Sequence, residues 1–203
     1  IAATATVDGA IHLVDVFVAA HLNALWVVGA VASSAVISVE SSTLSTIGLM
    51  SAVRIEAAFA GRLAISRSTV QSATSDGVFF FTAGTSGSIA LHQSSVTGLK
   101  GVRLVSLIGG SLEISGGSIS AAIAVYVTTT VDAASSVVMS DVAATGSSYG
   151  VRVDGAFGGS LVVGGGSIAA TTLQAIVFKA AVGGTVLLAK TTVTSGGSHA
   201  VSF

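Results

Sequence analysis

The chain has 203 residues, with eight Lys and Arg against nine Asp and Glu, and a net charge of −1 offers no field to draw nucleic acid or an acidic membrane surface. Cysteine is absent, which removes disulfides and thiolate metal sites, and no Pro-rich or charged stretch divides the sequence, so residues 1–203 read as one domain. Only 8% of residues are charged and 51% are hydrophobic, so a membrane span has to be tested first.

The best candidate span, Ala19 to Val39, is free of charge for twenty-one residues, yet it contains His21, Asn23, Gly29, Ser33 and Ser34. Its apolar residues alternate with period two instead of forming a block, which argues for strands over a membrane helix. The chain opens without Met or a signal-like segment, and both ends fall inside a repeat. A solenoid needs atypical polar caps, so the expectation is a section of a longer protein whose signal or anchor lies outside it.

From Ile11 onward an apolar anchor recurs at Val36, Leu63, Ile89, Leu112, Val137, Leu161 and Val186, with gaps of 25, 27, 26, 23, 25, 24 and 25. A second column, Leu25, Val53, Val78, Val102, Val125, Val151, Ile176 and Val201, keeps the same period. A third is met by Val7, Phe59, Ile108, Phe157 and Val182, and poorly by Ala32, Thr85 and Ala133. The segment GGSLEISGGSI, Gly109 to Ile119, returns as GGSLVVGGGSI, Gly158 to Ile168, forty-nine residues later, which is a double repeat. Three apolar-bearing segments per unit imply a coil with three faces.

Each segment alternates apolar, variable, apolar, as in Leu63-Ala64-Ile65 and Val151-Arg152-Val153, the pattern of a half-buried strand. Val, Ile and Thr suit the pleat, and the 25 Gly between segments supply corner conformations. Such short strands cannot bury an apolar side alone, so each coil must stack on the next at about 4.8 Å, giving a rod roughly 40 Å long. Proline, which would break the continuous ladder, is absent. Open strand edges on the first and last coils predict end-to-end self-association.

The Ser/Thr corners at Thr43-Leu44, Thr69-Val70, Ser95-Val96, Ser118-Ile119, Ser167-Ile168 and Thr192-Val193, together with the spaced apolar triplets, resemble the repeats of the pectate-lyase-like superfamily. Coil six departs, with Asp141-Val142 in that place. The resemblance covers nearly the whole chain and implies an all-β, right-handed parallel β-helix of about eight coils of about 25 residues, three strands per coil. The Cys-free composition, rich in Ser, Ala, Val and Gly, is also similar to large repetitive surface proteins of kinetoplastid protozoa.

Enzymes of the pectate-lyase-like kind cluster acids and bases on adjacent coils. Here the nearest carboxylate column mates, Glu56 and Asp154, are four coils apart, about 19 Å, too far for the 5–10 Å of paired carboxylate hydrolysis. His12, His21, His92 and His199 fall in different coils and phases, so no metal, nucleophilic site or cofactor is expected. A regular hydroxyl column on strands would make an ice-binding face, but the Ser/Thr column reads as corners.

One constellation stands out. Between the two anchors of each second strand the outward residue reads Trp26, Arg54, Phe79, Arg103, Tyr126, Arg152, Val177, Ser202, so aromatic and arginine alternate for six coils. At one-rung spacing each guanidinium can lie against rings above and below it, and Glu56 and Asp154 are placed to pair with Arg54 and Arg152. Such a ladder solubilises and stiffens an otherwise apolar rod by cross-strand packing, or it is a flat binding strip, since Trp, Tyr and Arg are the residues enriched where partners dock. The expectation is a non-enzymatic structural or adhesive segment of a secreted, cell-surface or membrane-associated protein, binding glycan or protein through these six residues. The alternative is the non-catalytic part of a carbohydrate-active β-helix enzyme.

Overall fold

The computed structural model describes residues 1–82, 84–197 and 199–203. Every strand pairing is parallel, no helix occurs among the described residues, and the chain winds as a β-solenoid of about eight coils. One face is an eight-stranded sheet running from Ala10–Val14 to Thr185–Ala189. The chain then turns a tight corner into a second ladder, from Phe17–Ala20 to Thr192–Ser195. The third ladder runs from Ala2–Ala3 through Leu25–Val27 and Val53–Ile55 to Val201–Ser202. In the middle coils the second and third ladders merge, because Ser95–Leu104, Ser118–Val127 and Ala143–Val153 run on without a break. Those two ladders therefore form one fourteen-stranded sheet.

Inward positions alternate with outward ones along each strand, and the inward set fuses into a single core down the axis. The third-ladder column is as the repeat predicts, from Leu25↔Val53 to Ile176↔Val201. The first-face column holds with one correction: Ile37, not Val36, lies between Ile11 and Leu63, because a one-residue slip turns a side chain to the opposite face. Ile37 is buried and Val36 is not. The weak column is corrected too, by one residue at two places and by two at the third. Its bridges run Val7, Val31, Phe59, Thr85, Leu107, Val131, Phe157, Val182, so Val31, Leu107 and Val131 replace Ala32, Ile108 and Ala133. Leu107 is 0% exposed and Ile108 44%.

The Ser/Thr positions read as corners are instead outward positions on strands of the second ladder: Thr43, Thr69, Ser95, Ser118, Ser167 and Thr192 stack in register with Ala143 among them. The true corner lies just before them. It has a left-handed backbone in every coil, at Asp15, Ser41, Arg67, Gln93, Gly116, Asp141, Gly165 and Lys190. Six of those eight are not glycine, so stacking holds a conformation that costs such residues about 1 kcal/mol or more. The buried hydroxyls of Ser42, Ser68 and Ser94 brace it: Ser42 N donates to Ser68 Oγ and Ser68 N to Ser94 Oγ.

Candidate functional site

The six residues singled out above stack in unbroken register, Trp26↔Arg54↔Phe79↔Arg103↔Tyr126↔Arg152, and the column continues to Val177 and Ser202. Their alignment follows from the buried apolar residue on either side, since each triplet has one way to put both apolar residues inside. Arg103 lies between two rings, 4.6 Å from the Phe79 centroid and 5.7 Å from that of Tyr126. Arg152 is 5.3 Å from Tyr126 and 5.0 Å from Tyr149, and Arg54 is 5.6 Å from Phe79 and 5.4 Å from Phe81. Phe81 and Tyr149 lie beside the column, on either flank, and carry no alternation that the sequence would expose.

Each arginine has its own carboxylate. Arg54 Nε donates to Glu56 Oε1 at 2.5 Å, and Arg152 donates through Nε and Nη2 to the two oxygens of Asp154 at 2.6 and 2.9 Å. The third partner was not visible in the triplet: Asp76, buried, lies 3.5 Å from Arg103 Nη1 and 3.6 Å from Lys100 Nζ. It comes from the turn two residues before the Val78 anchor, where coil-to-coil spacing is irregular. The Tyr126 hydroxyl donates to Asp154 Oδ2 at 2.6 Å, joining two rungs.

These contacts shift the titrating groups. Burial and the hydrogen bond to Asp154 push the Tyr126 phenol up, against the pull of Arg152 and Arg103. Burial raises Asp154, but hydrogen bonds from Arg152 and Tyr126 outweigh it and hold the carboxyl below the usual range. Arg152 is raised by its hydrogen bond to Asp154.

The strip is less open than its outward position implies. Phe79 is only 5% exposed, and the three arginine side chains are between 18% and 29% exposed. Ile123, Tyr149, Val177 and Tyr126 form a small apolar cluster outside the main core. The indole N–H of Trp26 and Arg103 Nε are buried donors with no acceptor among the described residues.

Elsewhere the histidines stay apart: His12 Nδ1 meets Ser38 Oγ and His92 Nδ1 meets Ser115 Oγ, each at 2.5 Å on the first face. Among the described residues no three His, Asp or Glu converge, and no helix is long and apolar enough to cross a membrane. The second ladder does put hydroxyls on strands, which the corner reading denied. Phe17, Ala19, Gln71, Ala143 and Ala169 interrupt them, so the array lacks the regularity that an ice-binding face requires.

Fold and ladder thus define a parallel β-solenoid with a charge-paired arginine–aromatic face. No protein-family model matches the chain, and no curated protein or solved structure does either.

Proposed function

We propose that this chain is a structural and adhesive section of a secreted or cell-surface repetitive protein, a right-handed β-helix of pectate-lyase-like kind, that meets a protein or glycan partner through its arginine–aromatic face. The observation that carries the reading is the ladder itself. Six large residues of docking-prone chemistry hold one register over six consecutive rungs of one face. Each of the three arginines faces a carboxylate, with Asp76 shared between Arg103 and Lys100, so most of the strip's charge is paired within it, which favours a partner held by shape, ring contact and hydrogen bonds over a polyanion. Its side chains are already ordered by stacking, so little conformational entropy remains to be lost on binding.

The test is a variant carrying Trp26→Thr, Arg103→Thr and Tyr126→Thr, compared with the unaltered protein for binding to cells and to immobilised glycans. Loss of binding with retained far-ultraviolet dichroism is the expected result. Undiminished binding by the folded variant would leave the ladder with a stiffening role alone.

A further inference from the structure

The corner between the second and third ladders changes length along the rod. From the inward residue of one ladder to that of the next the chain advances nine residues in coil two, Leu44 to Val53, and eight in coil three, Val70 to Val78. It advances only six in coils four and five, Val96 to Val102 and Ile119 to Val125, and eight again in coil seven, Ile168 to Ile176. A shorter connection lies closer to the axis, so coils four and five are recessed beside the projecting turns, and a groove of about 430 Å³ opens across coils three to five. Gly98 lets coil four press this close: a Cβ on it would stand 2.7 Å from the backbone of Ser75 and Gly77.

This groove lies in the interior of the rod, with paired coils on both sides, and its lining carries no charged residue. Gln71, Thr97 and Ser120 occupy one outward column on successive rungs, and their side-chain polar groups meet no partner among the described residues. Leu99, 51% exposed, stands beside them as the one large apolar side chain of the lining. The wall is braced from within. Thr74 Oγ1 donates to the Gly48 carbonyl at 2.7 Å, Ser75 N to Ser72 Oγ at 3.0 Å, and Leu99 N to the Ser75 carbonyl at 2.6 Å. Lys100, next to Leu99, is committed to Asp76 at 3.6 Å.

We infer that this groove is a second binding site, one that takes a short uncharged saccharide. Hydroxyls and a carboxamide donate and accept alike, which matches the hydroxyls of a sugar, while Leu99 offers an apolar contact to the C–H face of its ring. The volume falls within the range of about 300–1,000 Å³ that small-molecule sites occupy, and the braced wall means the site is already formed before the ligand arrives. An ionic ligand finds no countercharge in the lining. A peptide added as a strand finds no free edge, because the ladders on this face are paired above and below. None of the six ladder residues lines the groove, so the inference stands apart from the adhesive reading of the ladder face.

Amide NMR spectra of the chain, titrated in turn with glucose, galactose, mannose, N-acetylglucosamine, lactose, maltose and the charged sugar glucuronate, test it. Saturable shifts with at least one of the uncharged sugars are expected, clustered at residues 71–74, 97–99 and 120–122. Leu99→Ser should weaken that binding about tenfold, the scale of one apolar contact, and Gln71→Ala about fivefold, the scale of one hydrogen bond. Ala122→Trp, which fills the groove from a half-buried position, should abolish it with unchanged dichroism. No shift with any sugar, shifts centred elsewhere, glucuronate bound more tightly than glucose, or binding that survives Ala122→Trp would overturn the inference. The ladder variant Trp26→Thr, Arg103→Thr, Tyr126→Thr should bind the sugar as the unaltered chain does, which separates this result from the binding test above.

Discussion

The seventh and eighth coils carry nearly the same pattern, Leu161-Val162-Val163 and Val186-Leu187-Leu188, and pair strand to strand in full register. Val163 is 0% exposed, as core, whereas Leu188, in the same column one rung further on, is 36% exposed. The difference is not in the residues. Burial in a solenoid is conferred by the rung on either side, so an interior coil has two neighbours to complete its core and an end coil has one.

The largest test of that contrast lies in one column. Phe157 is buried between Val131 and Val182 and packs edge-on against Phe178 at 5.0 Å. Phe157→Ala should lower unfolding free energy by about 3–5 kcal/mol. Val182→Ala, on the final rung, should cost about 1 kcal/mol or less, both read by urea denaturation. Hydrogen exchange should order the rungs likewise, with amides of Ser136–Ser140 among the last to exchange and those of Thr185–Ala189 among the first. Equal costs in the two coils would break the comparison.

An intermediate effect belongs to the ladder. Asp154 receives two hydrogen bonds from Arg152 and one from Tyr126, and Asp154→Asn should destabilise by about 1–2 kcal/mol, discounted for its partial exposure. The same group gives a pH signature. Its folded pKa is lowered, so its contribution is present above the ordinary value of about 3.9 and is lost as pH falls through the folded value. Tyr126 is raised, so its contribution holds below about 10 and is lost as pH rises through its folded value. Thermal melts across pH should show both limbs, and Asp154→Asn should flatten the acid one.

The smallest effect is a gain. Gln93 holds φ 50° in the corner column where the next coil has Gly116. Gln93→Gly should stabilise by about 0.5 kcal/mol, the relief of the left-handed conformation less the added chain entropy of glycine. The opposite limit is Gly155, where an added Cβ would stand 1.1 Å from the Thr129 carbonyl oxygen. Gly155→Ala must therefore displace backbone.

Where the sequence was legible, two apolar anchors flanked the position in question. The triplets around Arg54, Arg103 and Arg152 fixed their own facing, so the ladder and its Glu56 and Asp154 pairs could be placed from spacing alone. With one anchor or none, slips followed: Val36 for Ile37, Ile108 for Leu107, strands taken for corners at Thr43 and Thr69. Asp76 was out of reach because it comes from a turn whose length varies between coils, and only the folded turn brings it to Arg103 and Lys100.

By itself the sequence determined the rung: a period near 25 residues, three short extended segments and an alternation that sorts side chains inward or outward, because strand geometry is local and repeats with the chain. Only the tertiary structure decided what each rung's residues become. Which of two adjacent apolar residues is core, which carboxylate reaches which arginine, and which non-glycine corners are held left-handed all depend on the coil above and the coil below. Those contacts are set by stacking and lie some two dozen residues away along the chain.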